Sequence, residues 1–282
     1  VKNGLVGMSG ASEIGEADIP GSGFKETMDG TYVNDGWTGN SVTDNGDRGV
    51  PTRVFSDNGW DELYDLGDRV SLPTFADDWR EPVTGATVLN PNTGINYTHE
   101  EYFETLADTP YAGDMTIHTM HDFYYNATRP SDPNPANRLP TDNYLLFNAS
   151  TNVLEMNGQI EIDGNLAFAG HGNQKTIHYT GRAAILVRGD AAIEVNLLSR
   201  NADGSTANSF PIANCLGIMA ENNMDVGMTS QLTIMGGFYA QNRVRSAKQT
   251  IVLGTFVGNY FDMGSQVPDI YQVPALADNL PY

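Results

Sequence analysis

Short runs in which apolar and polar residues alternate recur from about Leu154 to Gly264, each meeting a Gly or an Asn. They read IEIDGNLAF at 160–168, TIHYTGRAAILVRGDAAIEVN at 176–196, LGIMAENNMDVG at 216–227, QLTIMGGFYA at 231–240 and TIVLGTFVGNYFDMG at 250–264. Alternation puts every second side chain on one face, so each run predicts a strand with one buried side. Turn residues recur between the strands: Gly164 to Gly181 is 17 residues, and so is Gly237 to Gly254. A strand-plus-turn unit of that length suits one coil of a β-helix, with each coil about 4.8 Å above the last. The pattern predicts a mostly β chain built on a right-handed parallel β-helix, or solenoid, over 146–264. Ile160, Ile162, Leu166, Ile185, Val187, Ile193, Val195, Ile218, Leu232, Ile234, Ile251 and Leu253 are its expected core. The segment 199–213 interrupts the pattern, and an antiparallel sandwich is the competing architecture for many short strands.

The rest of the chain is read around that stack. Residues 1–23, with Leu5, Val6, Met8 and Ile14 among Gly and Ser, predict a first irregular coil. Residues 24–145 then form a long, acidic, turn-rich insertion, its Asn-Gly and Asp-Gly steps favouring tight turns. It carries one short helix. Thr98-His99-Glu100-Glu101 is a capping box, Tyr102, Phe103, Leu106 and Ala107 follow at helical spacing, and Pro110 ends the run. The proline-rich stretch 129–143 predicts an extended linker back to the solenoid. Residues 265–282, with Pro268, Pro274 and Pro281, predict an extended capping tail along or over the last coil.

Charge changes the list of partners. The chain of 282 residues carries 35 Asp and Glu against 15 Lys and Arg, a net −20, and 24 of those acids fall in residues 1–150. Such a surface repels phosphate backbones and argues against nucleic acid. It suits hard cations, and the acidic turns nominate Asp29, Asn34 and Asp35, or Asp44, Asn45 and Asp47, as candidate Ca²⁺ ligands without the spacing of an EF-hand. No run of 18 apolar residues exists, so no transmembrane segment is expected within these residues. The chain opens at Val1 without a leader, which reads as a processed or truncated product. Cys215 has no partner cysteine and reads as a small buried hydrophobe.

Further sets of residues bear on chemistry. His118 and His121, three apart, could share a helical face toward Zn²⁺, but no third ligand stands at a telling spacing. Asp163, Arg182, Arg188, Asp190 and Glu194 could neighbour one another across coils as a hydrolase or lyase would need, yet stacked opposite charges are also ordinary on an outer face. Nucleophile, phosphate-loop, zincin and dinucleotide motifs are missing, so a non-enzymatic chain is expected. Trp37, Trp60 and Trp79 serve a local core or a partner surface, including one for sugar rings. Asn96, Asn126 and Asn148 head glycosylation sequons.

The segments KNGLVGMSGASEIG, TYVNDGWTGN, VFSDNGWDELYDLGD, STNVLEMNGQIEIDGNL, TIHYTGRAAILVRGDAAI, LGIMAENNM and the run from GGFYAQNRVRS to QVPALADNLP resemble the periplasmic or extracellular region of bacterial PilX-type pilus-assembly proteins. In that family a hydrophobic pilin-like helix precedes a Gly-rich β-solenoid; the helix has no counterpart here. The resemblance lies in running pattern and brings no catalytic residues. It implies a non-enzymatic structural or adhesive component of a pilus or cell-surface assembly, extracellular or periplasm-facing, with surface proteins or further copies of itself as partners. The alternative is a β-helix that binds or cleaves polysaccharide.

Overall fold

The computed structural model describes residues 74–282 apart from 83, 202, 206–208, 263–267, 277, 281 and 282, together with the backbone of three short strands nearer the start. The chain divides into two compact units, Val1–Ser71 and Leu72–Tyr282. In the first, β1 (Glu13–Ile14), β2 (Thr31–Asn34) and β3 (Val54–Ser56) pair as an antiparallel sheet. The expected first coil at 1–23 lies outside the described residues apart from the backbone of Glu13 and Ile14. The backbone of Glu13 and Ile14 pairs with Asn34 and Val33.

The second unit is mostly β. Along the chain come α1 (His99–Glu104), β4 (Met115–His118), β5 (Phe123–Asn126), β6 (Tyr144–Asn148), β7 (Val153–Ile162), β8 (Leu166–Ala169), β9 (Thr176–Val187) and β10 (Ala191–Ile193). Then follow β11 (Asn196–Ser199), β12 (Cys215–Ala220), β13 (Asn223–Val226), β14 (Thr233–Ser246), β15 (Ile251–Asp262) and β16 (Asp269–Tyr271). Strands β4 to β16 make one 13-stranded sheet, mixed and mostly parallel. The antiparallel pairs in it are β5–β6 and β6–β7 at one edge.

The parallel pairs fall into three rows. The first joins the opening halves of β7 and β9 to β11, β14, β15 and β16. The second joins the later halves of β7 and β9 to β12 and the middles of β14 and β15. The third joins β4, β8, β10, β13 and the ends of β14 and β15. Successive stretches of chain visit the rows in the same order, though the rows are not evenly disposed about an axis. Alternation then stacks like on like. Ile160, Ile185, Ile218, Phe238 and Phe256 align in the second row, and Met115, Leu166, Ala191, Met224 and Val244 in the third. Of these only Phe256 is not fully buried, and the columns meet in one apolar core.

The second row is buried on both faces. Ala184 and Leu186 point away from the main core, with Met219 and Tyr239 beside them, and Phe75, Phe103 and Ala107 cover them. This explains the unbroken apolar stretch Ala183–Val187, which alternation alone does not. The cover is held by α1, whose capping box forms as expected: Glu101 N–H donates to Thr98 Oγ1 at 3.1 Å and Thr98 N–H donates to Glu101 Oε2 at 3.0 Å.

Several expectations need correction. The register does not follow the 17-residue spacing: Ile251 pairs with Thr233 and Gly254 with Gly236, both 18 residues apart, and loops set other intervals elsewhere. Of the expected core, Ile251 is 38 % exposed and Leu253 half-buried, while Val252 is buried against the aligned Ile234. The buried face at 251–253 is one residue out of phase with the one the alternation predicts. Within 24–145, β4 and β5 are not an insertion but strands of the large sheet. Residues 129–143 are not an extended linker. They form the folded loop of the β5–β6 hairpin, with a 3-10 turn at Pro135–Asn137 and an Arg138–Glu155 ion pair. Helix α1 stops at Glu104, with Thr105 as its C-cap, well before Pro110. In the tail, β16 lies between Pro268 and Pro274 and extends the first row as a strand paired with β15, and Leu276 is buried.

Candidate functional site

Two places on the second unit gather polar side chains. The first lies over the end of the second row. Glu161 stands on β7, Arg188 follows β9 and Glu221 follows β12, and parallel pairing brings these strand ends side by side. Helix α1 adds Glu100 and Glu104, four apart and so on one helical face. Arg188 Nε and Nη2 both donate to Glu161 Oε1, at 2.9 and 2.7 Å. Nη1 donates to Glu100 and Glu221, and Nη2 also donates to Glu104. All five guanidinium N–H groups are therefore engaged. Burial pushes the Glu161 carboxyl above its ordinary value, and hydrogen bonding and attraction to Arg188 pull against that shift. A guanidinium saturated in this way has no donor left for an anionic substrate, so the cluster is a clasp that fastens α1 to the sheet.

Of the other charged groups that a hydrolase or lyase would need, Arg182, Asp190 and Glu194 are likewise engaged by their side chains. Arg182 donates to the carbonyls of Pro211, Ile212 and Asn279, tying the loop after β11 to the tail. Asp190 accepts from Asn223 N–H and Nδ2, both at 3.0 Å, and its own N–H donates to Asn165 Oδ1, a polar ladder along one line of turns. Glu194 accepts from Met228 N–H and from the Thr229 hydroxyl. Asp163 sits in the turn after β7, where its N–H donates to Tyr111 O. His118 closes β4 and His121 lies in the following turn, so they do not share a helix; their rings are 5.4 Å apart, and His118 Nδ1 accepts from Met120 N–H. No group of three His, Cys, Asp or Glu among the described residues is arranged to hold a metal ion. Asp29, Asp35, Asp44, Asn45, Asp47, Trp37 and Trp60 lie outside the described residues, and of Asn34 only the backbone, at the end of β2, is described. Trp79 is half-buried with its ring stacked on Tyr102, 3.6 Å between centroids.

The second place is a cleft of about 280 Å³ on the outer side of the first row. Asn196, Thr233, Ile251 and Asp269 come from four adjacent strands, and Gln231 and Gln249 stand just before β14 and β15. Asn196 is a wall: its Oδ1 accepts from Thr233 N–H at 2.7 Å and its Nδ2 donates to Thr176 Oγ1 at 3.0 Å. Gln231 and Gln249 share one long contact of 3.5 Å. The sequence reading missed this site, although a signal was there. QLTIMGGF at 231–238 and QTIVLGTF at 249–256 share Gln, Gly and Phe at matching places, and the shared offset is the register that puts the two glutamines together. No protein-family model, no curated protein and no solved structure matches the chain.

Proposed function

We propose that this chain is a non-enzymatic structural or adhesive module of a cell-surface assembly, built as a β-helix. The observation that carries the reading is the three-row pairing, in which each stretch of chain adds one strand to each row. Such a stack is a stiff rod whose backbone bonding continues along its length and whose side faces are free for partners. The engagement of Arg182, Arg188, Asp190 and Glu194 in structural contacts supports a role without turnover. The running resemblance to pilus-assembly proteins supports a position outside the cytoplasm, with surface proteins or further copies as partners and with Trp37 and Trp60 as candidate contacts in the first unit. The test is to incubate the purified chain with bacterial envelope preparations and with polysaccharides. Saturable envelope binding without release of reducing ends is expected. Turnover of a polysaccharide, abolished by Asp163→Ala or Asp190→Ala, would overturn the reading.

A further inference from the structure

The cleft on the first row has a chemistry that selects its ligand. Thr233 Oγ1 and the Asp269 carboxylate make no hydrogen bond to the protein among the described residues, and Gln231 and Gln249 keep most of their amide capacity. These groups therefore offer both donors and acceptors to a ligand. Neither Lys nor Arg lines the cleft, its one charge is the negative Asp269, and the chain as a whole carries −20. The lining offers phosphate, sulfate and uronate groups no cation; Lys175, whose Nζ donates to Ser230 Oγ at 3.2 Å, lies just outside it. Apolar surface adjoins the polar groups: Ile251, in the lining, is 38 % exposed, and Tyr271, outside the lining but two residues beyond Asp269 on the same face of β16, is 56 % exposed. Mixed hydroxyl-binding side chains beside an apolar and aromatic surface match a sugar, which presents hydroxyls at its rim and C–H groups on its faces.

The spacing adds direction. Asn196, Thr233, Ile251 and Asp269 are neighbours across hydrogen-bonded strands, so they recur about every 4.8 Å across the row. A linear ligand lying across the strands would meet one side chain per strand, and a pyranose unit has about that length. We propose that this cleft binds a neutral polysaccharide, its chain running across the strands, with Gln231, Gln249, Thr233 and Asp269 hydrogen-bonding its hydroxyls and with Ile251 and Tyr271 under its C–H faces. This names the ligand of the adhesive module and rests on that reading.

Affinity electrophoresis of the full chain tests it, with gels containing laminarin, dextran, galactomannan or xyloglucan, and with polygalacturonate and heparin as anionic arms. At least one neutral glycan should retard the chain, and the anionic ones should not. The double variant Gln231→Ala/Gln249→Ala should weaken retardation at least tenfold with an unchanged melting temperature, since both side chains are exposed. Should that variant melt early, Asp269→Asn and Tyr271→Ala are read in its place, and at least one of them must weaken binding. Retardation by none of the neutral glycans, retardation by the anionic ones alone, or retardation that no variant changes would overturn the proposal. A chain that binds envelopes yet ignores every neutral glycan keeps the module and loses this ligand, whereas release of reducing ends sinks both.

Discussion

A methyl group added to Gly254 would stand 1.9 Å from the carbonyl oxygen of Gly236, its partner on the neighbouring strand. The two residues carry φ of +144° and +154° where β15 and β14 pass from the first row to the second. Any Cβ there forces the strands apart. Gly254→Ala should therefore cost about 2 kcal/mol or more in urea unfolding. Gly172→Ala is the control. It also has positive φ, +57°, but nothing lies within 4 Å of its added carbon, so about 1 kcal/mol is expected. Equal losses at the two sites would refute the account of the crossing.

Arg188 holds four carboxylates, and the Glu161 side chain is only 7 % exposed. Arg188→Met would leave that acid enclosed with its neighbours and without a counter-charge, an expected loss of about 3 kcal/mol. Adding Glu161→Leu should restore most of it, because an apolar pair needs no compensation. Chemical denaturation of the single and double variants decides; a double variant no better than Arg188→Met would count against the clasp.

Asp142 gives a pH dependence of known sign. Its carboxylate is buried and accepts from Leu139 N–H and Asn126 Nδ2, both at 2.9 Å, with Arg129 Nε at 3.4 Å. Hydrogen bonding, the Leu139 N–H foremost, holds its pKa below the ordinary 3.8. The unfolded chain takes up this proton first as pH falls. The stabilisation is complete above 3.8 and is lost as pH drops through the lower folded value. Asp142→Asn should be less stable at neutral pH and show a shallower loss as pH falls below 3.8. Glu161 has the opposite sign, since its raised pKa favours the fold as pH falls toward 4.5, so the two windows separate. Melting temperature against pH for both chains checks this.

Cys215 is fully buried, and burial pushes its thiol up to about 11. The native chain should not react with a disulfide reagent at pH 8 and should react within seconds once unfolded in guanidinium. Fast labelling of the native chain would mean that β12 opens readily.

Much of the fold was legible because alternation is a local property. Ile160, Ile185, Ile218 and Ile234 are buried as their runs predict, and the Thr98–Glu101 capping box needs four consecutive residues and nothing else. Phase and register were less accessible. Ile251 and Val252 are equally apolar, and only the pairing of Val252 with Ile234 decides which of them faces the core.

The sequence by itself determined that alternating strands dominate after residue 150, that one helix is capped at Thr98, and that the chain is strongly acidic; it did not show that the short runs join into strands of up to 14 residues that pass through their glycines. Tertiary structure alone decided what lies against what. Glu100 meets Arg188 across 88 residues, Phe75 and Phe103 cover Leu186 and turn a one-sided row into a two-sided one, and β4 joins β8 from inside a stretch that reads as loop. Gln231 and Gln249 share a cleft wall only because one register brings them level. The reason is physical: spacing along a chain encodes which face a side chain takes, whereas the neighbour on that face depends on how loops of unequal length close, and loop-closure entropy changes too slowly with length to choose among them.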